Sequence, residues 1–140
     1  MKRVLAALPP FAYPTLERVL GGRADVLPVH SLYGAKALLQ AEPDISLIVC
    51  GVHFDESRMF DLLRHAHELY PHIPFVCCRI LEMRLPRISI EAVAVSVLQL
   101  GAAAFFDFPA RAREVGRDAA DEEFRSLLLG QLPTGRLRAG

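Results

Sequence analysis

The sequence predicts an α/β fold, a parallel sheet between two layers of helices. Short runs that are apolar at every position recur along the chain, as in strands buried on both faces. Segments between them carry apolar residues at helical spacing, and Pro or Gly closes most of both. Regular alternation of the two element types in 140 residues implies one domain whose strands are joined by right-handed crossovers.

Val4 to Leu8 is a continuous apolar run closed by Pro9-Pro10, the pattern of a buried parallel strand. Pro14 through Leu20 reads as a helix, with Pro in its first turn and Gly21-Gly22 as its stop. Asp25 to Val29 is a weaker strand. Pro28 cannot donate to a ladder, which places this strand at a sheet edge. Tyr33 to Ala41 is a short helix with Ala35, Leu38 and Leu39 on one face, and Pro43-Asp44 turns the chain. Leu47-Ile48-Val49-Cys50 is apolar on both faces and therefore central.

After the loop Gly51 to Glu56, Ser57 or Asp55 is placed to cap the next helix. In that helix Met59, Leu62, Leu63, Ala66 and Tyr70 form an apolar stripe, with Arg58, Asp61, Arg64 and Glu68 opposite. Pro71 and Pro74 bracket its exit, and Phe75 to Cys78 is the fourth strand. A basic loop with Arg79, Arg84 and Arg87 around Pro86 leads into a helix from Ser89 to Leu100, stopped by Gly101. Ala104-Phe105-Phe106 is the fifth strand, closed by Asp107-Phe108-Pro109. Residues 111 to 132 read as one last helix, with Val115, Phe124, Leu127 and Leu128 on its inner face. The domain then spans 1–132, and 133–140 is a mobile tail. Five strands and five helices suit the flavodoxin-like strand order 2-1-3-4-5.

Composition excludes several classes. Hydrophobic residues make up 52% and charged residues 23%, which rules out disorder as the main state. Sixteen basic residues balance sixteen acidic ones, so no net field favours nucleic acid. No apolar run approaches the ~20 residues of a membrane span. The apolar start resembles a signal peptide, but it is short and broken by Pro9-Pro10, so it reads as the first strand. Three cysteines without metal spacing fit a reducing cytoplasm.

These segments, in this order, resemble the receiver domain of bacterial response regulators over residues 2 to 130. Gly22 through Leu39 resembles the family's second strand and helix. Glu42-Pro43-Asp44 resembles the lead into its third strand, and Ile73-Pro74-Phe75-Val76 its fourth. Leu100-Gly101-Ala102, then Phe105-Phe106 and Pro109, is similar to the family's ending. The resemblance implies a CheY-like three-layer sandwich. It also implies a chemistry: acidic residues after strand one and an aspartate after strand three bind magnesium, a hard cation that prefers oxygen. That aspartate accepts the phosphoryl group. A Thr or Ser after strand four and a Lys after strand five stabilise the product by neutralising charge.

Every such position departs here. Leu8-Pro9-Pro10 replaces the acidic pair. Gly51 stands for the phosphoacceptor, or Cys50 if the alignment slips by one. Arg79 replaces the Thr or Ser, and Phe108 replaces the Lys. The expectation is a non-enzymatic pseudo-receiver in bacterial signalling, with no cofactor or metal, working through a protein partner or a homodimer. A sensor for a small anionic ligand in the vacated pocket is the alternative. A flavodoxin-like enzyme of another kind lacks any catalytic constellation.

Four sets of residues are candidates. In the helix from Ser89 to Leu100 the one charged residue is Glu91. Ile90, Val93, Val97 and Leu100 suffice for a core face, while Ala92, Ala94, Val95 and Leu98 add apolar surface elsewhere. Ile90, Val93, Ala94, Val95, Val97 and Leu98 with Phe106 make the expected interface, and the resemblance adds that active receivers commonly dimerise through the fourth helix, fifth strand and fifth helix. The competing reading is that the last helix or the tail covers this surface. Arg79, Arg84 and Arg87 suggest an anion site, against a plain salt bridge from Arg79 to Asp55, Glu56 or Asp107. Cys50 and Cys78 at equivalent strand positions suggest a redox pair, against buried thiols acting as small apolar residues. Cys77-Cys78 would give only a strained ring. His53, Asp55, Glu56, His65 and His67 do not match a metal signature.

Overall fold

The computed structural model describes residues 1–82 and 87–133, with the backbone alone at 87 and 88. Strands β1 (Arg3–Ala7), β2 (Asp25–Val29), β3 (Ile45–Gly51), β4 (Phe75–Arg79) and β5 (Ala104–Asp107) form one parallel sheet in the order β2-β1-β3-β4-β5. This is the predicted flavodoxin-like arrangement. The helices are α1 (Tyr13–Leu20), α2 (Leu32–Ala41), α3 (Met59–Leu69), α4 (Arg87–Gln99), α5 (Phe108–Val115) and α6 (Arg117–Gln131), with a 3-10 turn at Pro10–Ala12. No helix among the described residues is long and apolar enough to cross a membrane.

β2 occupies an edge, as Pro28 requires. The Asp25 N–H donates to Lys2 O at 2.8 Å. Backbone groups alternate along a strand, so Leu27 and Val29 also turn towards β1, while Val26 and Pro28 face outward.

Alternation also sorts the apolar side chains into two cores. Leu5, Ala7, Ile48, Cys50, Phe75 and Cys77 pack against α2, α3 and α4. Val4, Ala6, Leu47, Val49, Val76 and Cys78 pack against α1, α5 and α6. Cys50 and Cys78 therefore face opposite layers. The register pairs Cys50 with Cys77 and Gly51 with Cys78, which corrects the expected Cys50–Cys78 alignment.

Two local expectations also change. The single last helix is two, α5 and α6, interrupted at Gly116, whose φ of 90° and ψ of 159° suit a residue without Cβ. The break turns Val115 outward at 40% exposure, while Phe124 and Leu128 stay fully buried and Leu127 packs partly buried against them. α6 is fixed to α1 by a bidentate pair: Arg18 Nε and Nη2 donate to the two Asp121 oxygens at 3.0 and 2.9 Å. Arg125 adds a bond from Nε to Val19 O at 2.6 Å. At α3, neither Ser57 nor Asp55 is the cap. Arg58 holds that position without a side-chain bond. Asp55, Glu56 and Ser57 all have positive φ (43°, 55° and 68°), whereas an N-cap is extended. The Asp55 carboxylate instead accepts the Leu32 N–H at 2.7 Å, joining this loop to the start of α2.

Candidate functional site

In open α/β sheets, ligands sit outside the carboxyl ends of the strands. Pro9 and Gly51 meet there. A Cβ on Gly51 would lie 3.0 Å from Leu8 Cδ2 and 3.5 Å from Pro9 Cδ. The volume that a side chain at Gly51 would enter is thus filled by apolar atoms. What remains is a cavity of about 10 Å³ among Leu8, Pro9, Ala12, Val52, His53 and Ile80, room for one water at most. The Tyr13 hydroxyl closes the neighbouring strand ends, 2.6 Å from Ala6 O and 2.9 Å from Val29 O. Burial raises its pKa. The sequence reading noted Leu8 as a replaced position but missed it as a plug, and it missed Tyr13 altogether.

His53 flanks the cavity. Its Nε2 is buried without a hydrogen-bond partner among the described residues. Burial, and then the nearby Arg79 guanidinium, hold its pKa below the ordinary histidine value.

Arg79 and Phe108 are not part of that cavity. Arg79 is 7% exposed, and its Nη1 donates to Asp107 Oδ1 at 3.2 Å. Asp107 is one of the salt-bridge partners expected from sequence, and it also caps α5 by accepting the Ala110 N–H at 3.4 Å. The groove beside this pair is lined by Arg79, Glu91, Asp107, Arg113 and Glu114 with Ile90 and Ala110. Among the described residues, three carboxylates here face two guanidinium groups, a balance that does not favour an anion. Arg84 and the Arg87 side chain lie outside the described residues. Phe108 is the first residue of α5 and turns into the core, with ring centroids 6.4 Å from Phe106 and 6.3 Å from Phe124. The Arg18 guanidinium lies 6.0 Å from its ring centre. The pocket predicted from Pro9, Gly51, Arg79 and Phe108 is therefore split three ways.

The other candidates resolve similarly. All three cysteines are fully buried. Burial pushes the Cys77 thiol up to about 12 and raises Cys50 and Cys78 as well, so they act as apolar filler rather than as nucleophiles. Asp55 is engaged with Leu32, His65 lies against the Tyr70 ring, and Gly101 abuts His67. Among the described residues no three potential metal ligands gather.

α4 keeps its unusual surface. Val97 is fully buried, and Val93 and Leu100 pack partly buried beside it. Ile90 and Ala94 are half-buried, while Val95 and Leu98 are 56% and 50% exposed. α6 packs on α1, across the sheet from α4, so it does not cover this surface. Residues 134–140 lie outside the described chain. Phe106 does not join α4. It stacks on Phe124 at 4.7 Å with rings 5° from parallel, in the opposite layer. Strand alternation puts Phe105 on the α4 side instead.

No protein-family model matches the sequence, and no curated protein does. Solved structures do match. Response regulator Rcp1 in its Mn(2+)-bound form shares 15% identity at a TM-score of 0.71, over 96% of this chain and 100% of that one. The phosphorylated cyanobacterial phytochrome response regulator RcpA shares 14% at 0.71, over 95% and 99%. HP1043, an orphan response regulator of H. pylori, shares 13% at 0.68, over 94% and 96%. The likeness establishes the receiver-domain fold.

Proposed function

We infer that this chain is a pseudo-receiver in bacterial signal transduction, acting in the cytoplasm without catalysis or phosphorylation. It works by self-association through α4 or by docking a protein partner there. The observation that carries this reading is α4. A helix on a sheet normally shows water a polar face, yet the outward positions here include Val95 and Leu98, half exposed and uncovered by the described residues. The filled strand ends support the second half of the reading. Some receivers of this fold are described as metal-bound or phosphorylated. Here Leu8 and Pro9 pack beside Gly51, and a carboxylate at that point would first have to displace the Leu8 side chain.

The geometry gives little support to a small anionic ligand seated by Gly51, Arg79 and Phe108. The cavity has room for one water at most, Arg79 is bonded to Asp107, and Phe108 is in the core.

Light scattering after gel filtration tests the proposal, run with and without acetyl phosphate and magnesium. The expected result is one constant dimer mass with no phosphoryl group added by mass spectrometry. Val95→Asp is expected to give a folded monomer, since its side chain is exposed and its loss leaves the core intact. A phosphoryl adduct with a shift in assembly would make the chain a working receiver. A monomer at every concentration would exclude self-association.

A further inference from the structure

We propose that the loop from Val52 to Arg58 is a proton-sensitive latch, closed while neutral His53 is seated against the filled strand ends and released when His53 is protonated. The proposal is independent of the self-association reading, and its test reads the loop rather than the oligomer.

His53 is half-buried, and the seat of its Nε2 favours the neutral ring. Leu8, Pro9 and Ala12 line the same cavity from the turn after β1, Ile80 and Leu81 from beyond β4, and none carries charge. Nε2 is out of contact with water and has no partner among the described residues. A neutral imidazole can leave one nitrogen as an unpaired acceptor, whereas the imidazolium has two donors and a charge to satisfy. The charged group that acts on it from β4 is Arg79, a cation. From β5, Asp107 is engaged with that arginine. On its own loop, Asp55 is turned to the Leu32 N–H and Glu56 is exposed. Burial and the Arg79 charge therefore oppose protonation together.

The segment that follows is poised to move. Asp55, Glu56 and Ser57 hold three consecutive left-handed conformations, a backbone state that non-glycine residues adopt only when their surroundings enforce it. α3 begins directly after them without a side-chain cap. The enforcing contacts are the Val52 N–H on Cys78 O at 2.9 Å, the Phe54 N–H on Gly51 O at 3.1 Å, the Arg58 N–H on Phe54 O at 2.8 Å, the buried Phe54 ring, and Asp55 on Leu32. Unseating His53 removes the packing beside Val52 and lets the strained turn relax.

The sign follows from proton linkage. The open loop carries a histidine of ordinary pKa, about 6.5, and the closed loop one of lower pKa. The open form binds more protons, so the closed form is complete above about pH 6.5 and is lost progressively as pH falls below it.

The test is an NMR titration of the full chain from pH 8 to pH 5, with amide exchange corrected for its intrinsic pH dependence. His53 is expected to titrate below the ordinary histidine value of about 6.5. The Asp55, Glu56 and Ser57 amides are expected to report protonation of His53, losing protection by up to about tenfold per pH unit in that window. His53→Gln is expected to abolish that dependence. The titration of the unaltered chain stands whether or not the variant folds. A His53 midpoint at or above the ordinary histidine value of about 6.5, loop amides blind to its protonation, or the same response in His53→Gln would each overturn the latch.

Discussion

At Gly51 the absence of a side chain and the packing of Leu8 go together. Leu8 Cδ2 would lie 3.0 Å from a Cβ at this position. Introducing a carboxylate by Gly51→Asp is therefore expected to destabilise the fold by about 2 kcal/mol or more, since an unpaired acid would enter an apolar seat. Urea denaturation reads this as a lower midpoint, and the variant should still take up no phosphoryl group from acetyl phosphate. Pro9, Gly51 and Arg79 were legible as strand-end residues because Pro and Gly punctuate the strands. The directions of their side chains were not. Phe108 looked like a pocket residue by position, yet the first residue of a helix turns with that helix, and here it turns towards Phe124. Three aromatics at 106, 108 and 124 were the available sign of a cluster. The cysteines teach the same lesson, because a one-residue step in register exchanges the sheet face.

Among elements, the strands were readable and the last helix was not. Continuous apolar runs bounded by turn residues identify buried strands well. The spacing around Gly116 fits an unbroken helix, and only its backbone angles mark the break. Gly116→Ala forces a Cβ into a conformation nearly reserved for glycine. Nothing lies within 4 Å of the added atom, so the cost is backbone strain of about 1–3 kcal/mol, measurable as a drop in melting temperature. Across the α1–α6 contact, the Arg18 pair holds the Asp121 carboxyl below its usual range, through its hydrogen bonds first. That contribution is present above the ordinary aspartate value of about 3.9 and disappears as pH falls through the lower folded value. Asp121→Asn is expected to cost about 1–2 kcal/mol at neutral pH, because the pair is partly exposed. In denaturation curves taken across pH, variant and parent should converge in acid.

For the whole molecule, the balanced charge and the apolar side of α4 point to association that does not depend on electrostatics. A dimer built on Val95 and Leu98 should keep its mass in 1 M salt, where the Debye length is only about 3 Å. Dissociation on raising salt in gel filtration would mean that charged groups carry the contact instead. That α4 is apolar on more than one side was visible in its sequence. That Phe106 lies in the other layer required the sheet.

The outward proline of β2 has one more consequence. An unpaired strand is a template on which another chain can extend the sheet, the route to fibres and strand exchange. On this border the residues facing out are Val26 and Pro28, and Pro28 offers no amide hydrogen. A visiting strand would find one donor along β2, and the opposite border is the four-residue β5. Polymerisation by strand addition is thus discouraged at both margins, and any assembly this chain forms is left to its helices, where contact can be reversible and finite.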